Sequence, residues 1–81
     1  MNVRVRLFAA VRQAAACDCM EVSLPDGATI AELRRSVAQQ VPELSRLIER
    51  ATFAVDAEYA ADTAEIPSEA DVACIPPVSG G

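Results

Sequence analysis

The residues of this 81-residue chain best suited to chemistry are its last ones, Pro76-Pro77-Val78-Ser79-Gly80-Gly81. Two glycines in a row carry no Cβ, so backbone ending in them enters a slot that any side chain would block. The group such a tail delivers is the Gly81 carboxylate, with Gly80 as its slim approach. Pro76 and Pro77 fix their φ angles, donate no backbone hydrogen bond and push Ile75 toward extended geometry, so the tail is expected to leave the body straight. Extended residues 76–81 reach roughly 20 Å, at about 3.3–3.6 Å each, far enough to carry a carboxylate into another protein's active site. A frayed terminus without chemistry is the other reading of the same residues.

The rest of the chain is poor in reactive groups. It has no His, no Lys and no Trp, and all seven basic residues are Arg. The commonest general base and the amine nucleophile are therefore missing, and three glycines form no phosphate-cradling loop. The chain is expected to carry a reacting group and leave catalysis to others. Without Lys, it has no side-chain amine to which a sister molecule's carboxyl end would join. Cys17, Cys19 and Cys74 fall short of a tetrahedral zinc site or an iron–sulfur cluster, so no metal is expected. Cys74 lies in an apolar run and reads as core. Cys17 and Cys19 flank Asp18 in a loop, where the choice is between reduced cytoplasmic thiols and a redox pair. Arg12 cuts the apolar run Leu7-Phe8-Ala9-Ala10-Val11 below the length of about 7–15 residues that a signal peptide needs, and no stretch is long enough to span a membrane.

With 52% apolar and 23% charged residues the chain is globular. A domain of this size buries only about 60–65% of its unfolded surface and gains from a partner. Its charge is segregated: residues 1–50 hold every Arg against six acids, whereas residues 51–81 hold Asp56, Glu58, Asp62, Glu65, Glu69 and Asp71 and no base. An acidic tail-bearing half argues against nucleic acid and for a basic partner surface.

The positioning elements follow from periodicity. Val3, Val5 and Leu7 alternate with Arg4 and Arg6 as in a strand buried on one face. The alanine-rich stretch 9–16 favours a short helix. Met20, Val22 and Leu24 alternate again, before the turn residues Pro25-Asp26-Gly27. Thr29 and Glu32 have capping-box spacing, and Ile30, Leu33, Val37 and Val41 form one helical stripe that should stop near Pro42. Leu44, Leu47 and Ile48 suggest a second short helix. Phe53 with Val55, then Tyr59, then 71–75 read as strands, the last running into the tail. A sheet with a helix on one face is an α+β arrangement, with a domain at 1–75 and a tail at 76–81.

Three segments carry a family resemblance: Leu7-Phe8-Ala9-Ala10-Val11-Arg12, Phe53-Ala54-Val55-Asp56-Ala57-Glu58-Tyr59, and Asp71-Val72-Ala73-Cys74-Ile75 followed by the tail. Together they resemble the MoaD-type sulfur-carrier small subunits of molybdopterin synthase, over essentially the whole chain. The closing Pro-Pro-Val-Ser-Gly-Gly is the specific part. The sequence departs from the family pattern at Asp56, usually Asn, and at Glu69-Ala70, usually a Gly-Asp turn, which bears on local turn geometry.

The resemblance implies a ubiquitin-like β-grasp, a mixed sheet of about five strands with one main helix packed on one face. It implies that an E1-like enzyme, using ATP and Mg, adenylates the Gly81 carboxylate, and that a sulfur donor system converts it to a thiocarboxylate. The large synthase subunit would then receive the tail and pass the sulfur to cyclic pyranopterin monophosphate, in a heterotetramer with two carriers. Gly81 would be the covalent site, with Pro76, Pro77, Val78 and Ser79 as tail contacts. Phe8 and Arg12 match partner-facing positions, although core burial for Phe8 and a solvated charge for Arg12 also fit. Ile75 and Val72 suit either core or interface. Rival readings are a thiamine-pathway sulfur carrier, a ubiquitin-like protein modifier joined to a target lysine, and a plain interaction module. Length and the Pro-Pro-Val-Ser approach favour the molybdopterin branch.

Overall fold

A computed structural model describes residues 1–77. The elements run β1 (Asn2–Leu7), α1 (Ala9–Ala15), β2 (Cys19–Ser23), α2 (Ile30–Gln40), a 3-10 turn (Pro42–Leu44), α3 (Ser45–Arg50), β3 (Thr52–Val55), β4 (Glu58–Ala60) and β5 (Val72–Ile75). The strands form one mixed sheet in the order β2-β1-β5-β3-β4. β1 pairs antiparallel with β2 and parallel with β5, while β3 pairs antiparallel with both β4 and β5. The last strand is thus central, held on both sides. This is the α+β β-grasp expected from the sequence.

Strand alternation decides which face is covered. Val3, Val5 and Leu7 of β1, Val22 of β2, Phe53 of β3, and Val72 and Cys74 of β5 are buried, and Ile30, Leu33 and Val37 of α2 close over them. Val11 of α1, Ile48 of α3 and Ile66 complete the core. Each such side chain, fully removed from water, contributes about 1.5–3 kcal/mol before the entropy of ordering it is counted. The capping box forms: the Thr29 hydroxyl accepts the Glu32 amide at 3.3 Å, and the Glu32 carboxylate accepts the Thr29 amide at 3.4 Å. Val41, assigned from sequence to the buried stripe, is the C-cap and only half-buried. The helix stops there because Pro42 supplies no N–H to continue it.

Segment 61–70, which periodicity left unassigned, is fastened by backbone bonds. Ala64 accepts the Ile30 amide at 3.0 Å, and the Ile66 amide donates to Ala28 at 2.9 Å. Arg34 joins the second layer. Its guanidinium donates to the carbonyls of Ile48, Glu49 and Ala51 at 2.8, 3.2 and 2.6 Å and to Asp62 Oδ1 at 2.8 Å, and it lies 4.9 Å over the Phe53 ring. It therefore caps the C-terminal carbonyls of α3. Among the described residues no helix is long and apolar enough to cross a membrane.

Candidate functional site

The sheet face opposite the helices carries the site, and its rows follow from strand register. Cys19 pairs with Arg6, Arg6 with Ala73, Ala73 with Ala54, and Ala54 with Tyr59, so these residues make one row across all five strands. Two alanines at the centre leave a trough between larger neighbours. The resulting open hollow, about 390 Å³, is lined by Arg6 and Phe8 on one side, Ala57 and Tyr59 on the other, and Asp71 and Ile75 along its length. Phe8 is 40% exposed and Tyr59 79%, the large apolar side chains left in water among the described residues. Neither makes a core contact that would explain its type, so this face is the candidate docking surface.

Polar contacts hold the hollow in shape. The Arg6 guanidinium lies 3.2 Å from the Asp71 carboxylate and 5.9 Å from the Phe8 ring centre. Because Arg6 and Asp71 are both 56% exposed, this pair contributes at most about 1 kcal/mol and chiefly orients the two side chains. Asp56 and Ala57 form the two-residue turn between β3 and β4 with φ of 49° and 70°, the positive values of a primed hairpin turn. The departure at Asp56 therefore preserves the left-handed turn. Glu69 also sits in the left-handed region, at φ 61°, where Gly is the easier residue.

The expected site residues fall as follows. Phe8 stands exposed at the end of β1, which decides against core burial. Arg12, on α1, reaches Asp18 at 3.8 Å with its side chain 56% exposed. Ile75 is half-buried at the end of the hollow. Pro76, expected among the tail contacts, is buried, while Pro77 is exposed, so the packed body extends one residue beyond the predicted boundary. Val78, Ser79, Gly80 and Gly81 lie outside the described residues.

Sequence reasoning missed Arg6, Ala54, Tyr59, Asp71 and Ala73 as parts of one surface. The parity of Arg4, Arg6 and Phe8 along β1 was a legible signal, but the alanine floor exists only through register. The segregation of charge along the chain also does not survive folding. Insertion of β5 beside β1 sets Asp71 against Arg6, and Asp62 pairs with Arg34 at 2.8 Å. The surface at the start of β5 is accordingly mixed in charge, where the sequence suggested a strongly acidic tail-bearing half.

No group of three or more His, Cys, Asp or Glu side chains among the described residues is arranged to hold a metal. Cys74 is buried, and desolvation pushes its thiol up to about 11, partly offset by Arg34. It stays protonated and inert. Cys17 and Cys19 are exposed free thiols.

The model of the ThiS family matches residues 5–81. The molybdopterin synthase sulfur carrier subunit of Dictyostelium discoideum is 35% identical over 81 aligned residues, covering 96% of this chain and 94% of that one. The structure of a putative molybdopterin converting factor subunit 1 from Pyrococcus furiosus matches with a TM-score of 0.83 and 27% identity, over 96% of this chain and 99% of that one. SAMP1 from Haloferax volcanii matches with a TM-score of 0.84 and 24% identity over the whole of both chains, a likeness of fold.

Proposed function

The chain belongs to the ThiS family, and on that premise we propose that it is the sulfur-carrier subunit of a molybdopterin synthase. The observation that carries this reading is full-length similarity to the Dictyostelium discoideum subunit of that name. The geometry supports it. β5 is the central strand and ends at Ile75, beside Phe8 and the apolar hollow, so a segment continuing from Pro77 starts at the rim of the exposed face.

In this reading 77–81 is the delivering segment and Gly81 its reacting end. A carboxylate resists substitution because its oxygen is a poor leaving group. Attack of that oxygen on the α-phosphorus of ATP, in an E1-like partner that uses Mg, expels pyrophosphate and gives the acyl adenylate. A sulfur nucleophile from a donor system then displaces AMP, leaving a thiocarboxylate. That softer nucleophile bonds its sulfur to cyclic pyranopterin monophosphate inside the large synthase subunit, and water then cleaves the acyl–sulfur bond, leaving the sulfur on the pterin and a carboxylate on Gly81. Gly80 lets the chain approach, while Val78, Ser79 and Pro77 are contacts along the channel. Phe8, Ile75, Tyr59 and the alanine trough form the docking face, with Arg12 at its margin, and a large-subunit dimer takes one carrier at each end. The chain itself binds no cofactor.

The test is reconstitution of the carrier with an activating enzyme, ATP, a sulfur donor, the large subunit and the pterin precursor. Molybdopterin should form, with Gly81 returning to the carboxylate. Stable amide adducts on other proteins would move the protein-modifier reading to first place, and transfer only to a thiazole-forming enzyme would favour the thiamine pathway.

A further inference from the structure

Cys17, on the link from α1 to β2, and Cys19, which the sequence placed in a loop but which is the first residue of β2, are exposed thiols separated by one residue. The residue between them is held twice. The Asp18 carbonyl accepts the Leu7 amide at 2.8 Å, and the Asp18 carboxylate lies 3.8 Å from the Arg12 guanidinium. Leu7 leads directly into Phe8. The residue between the two thiols thus touches Arg12 directly and reaches Phe8 through its neighbour Leu7.

We propose that Cys17 and Cys19 form a thiol–disulfide switch whose closure pulls Asp18 off Leu7 and Arg12 and so displaces Phe8 and Arg12. Two steps along an extended chain span about 6.6 Å between Cα atoms, at the upper end of the 4.4–6.8 Å that a disulfide tolerates. The chain here already bends at 17–18, after Ala16 has ended α1 in the left-handed region at φ 60°. Tightening that bend closes the bridge and turns the peptide units on either side of Asp18. The carbonyl that accepts the Leu7 amide belongs to one of them. A ring this small is strained and stays easily reduced, the property of regulatory rather than structural disulfides.

The oxidant is a low-molecular-weight disulfide such as glutathione disulfide. Cys19 pairs in register with Arg6, and Arg4, Arg6, Asp18, Cys19 and Asp71 share one shallow depression. The Cys19 thiolate attacks one sulfur of the oxidant and expels one glutathione thiolate, giving a mixed disulfide. The Cys17 thiolate then attacks the Cys19 sulfur and expels the second. Two protons leave the protein thiols, the protein loses two electrons, and the oxidant is reduced to two thiols. Cys74, buried in the core, takes no part.

The docking consequence rests on the proposed carrier function; the bridge itself does not. The full chain is treated with glutathione disulfide and followed by intact mass, peptide mapping and amide hydrogen exchange. The expected product has lost about two mass units, one hydrogen from each thiol, with the bridge mapped to Cys17 and Cys19. Its Leu7 amide should exchange about tenfold or more faster than in the reduced chain. Cys17→Ser and Cys19→Ser should each stop at a single mixed disulfide. A wild-type chain that also stops there, or a bridge that leaves Leu7 exchange unchanged, overturns the proposal. Titrated against the large subunit, the bridged form should bind about tenfold more weakly and recover on reduction, and equal affinities refute the docking consequence. Binding by neither form counts against the carrier reading, while mass and exchange still decide the switch.

Discussion

Asp56 and Asp71 exchange two hydrogen bonds across the sheet. The Asp56 amide donates to the Asp71 carbonyl at 2.8 Å, and the Asp71 amide donates to Asp56 Oδ1 at 3.0 Å. The first belongs to the turn after β3 and the second immediately precedes β5, so the pair pins the hairpin to the start of the strand that leads toward the tail. It also leaves the Asp71 carboxylate free for Arg6. Asp56→Ala should lose the side-chain bond and place an alanine in the left-handed region, costing about 1–2 kcal/mol. Asp56→Asn keeps the acceptor and tolerates that conformation, and should be nearly neutral. Urea unfolding of both variants checks this, and equal losses in the two would contradict it.

Arg34 is the next position expected to respond strongly. Its guanidinium holds three carbonyls at the end of α3, pairs with Asp62 and covers Phe53. Arg34→Ala should destabilise by about 2–4 kcal/mol, because α3 carbonyls lose their donors and the ring loses its cover. Arg34→Lys should recover only part of this, since an ammonium lacks the planar fork that reaches these acceptors together. Chemical denaturation of the two variants measures the difference.

Stability should fall in alkaline solution because of Cys74. Its thiol ionises from an ordinary value of 9.0 when unfolded but holds its proton to about 11 when folded. Between those values the native state binds more protons, so stability from this group is fully present below pH 9.0 and drains away as pH rises toward 11, by about 2 kcal/mol. Cys74→Ala should lower stability at neutral pH by leaving a small cavity, yet flatten the slope across that window. Thermal unfolding at a series of pH values gives the comparison.

On the exposed face, Phe8→Ala and Tyr59→Ala should leave the melting temperature nearly unchanged, because neither ring is packed in the core. Association with the large subunit should weaken by about tenfold or more for each, as expected of aromatic anchors at an interface centre. Calorimetric titration measures it. Unchanged affinity in both variants would remove the hollow from the docking surface.

How much of this was legible beforehand depends on the kind of signal. Alternation along β1 and the Thr29–Glu32 spacing are local, and both the strand and the capping box formed as read. The Ile30, Leu33 and Val37 stripe likewise fixed which side of α2 faces the sheet. The hollow was not legible, because Ala54 and Ala73 become neighbours only when β5 enters between β1 and β3, a long-range pairing that no local period announces. The same insertion brought Asp71 to Arg6 and undid the apparent separation of charge. Pro76 read as the start of the tail because it fixes its φ angle and donates no backbone hydrogen bond, yet it is buried against the body. The segment around Ile66 lacked periodicity because it is held by backbone bonds to 28–30 rather than by a regular element.

The central claim is that Gly81 carries sulfur, and intact mass of the carrier reads it directly. After incubation with an activating enzyme, ATP and a sulfur donor, the chain should gain the mass of sulfur replacing oxygen, localised to Gly81 by fragmentation. That increment should disappear when the large subunit and cyclic pyranopterin monophosphate are added. A variant lacking Gly81 displaces the reacting atom by about one residue length, roughly 3.5 Å, and should fold normally without supporting molybdopterin formation. An unchanged mass in the presence of the cognate activating system, or full synthesis from the shortened chain, would contradict the account.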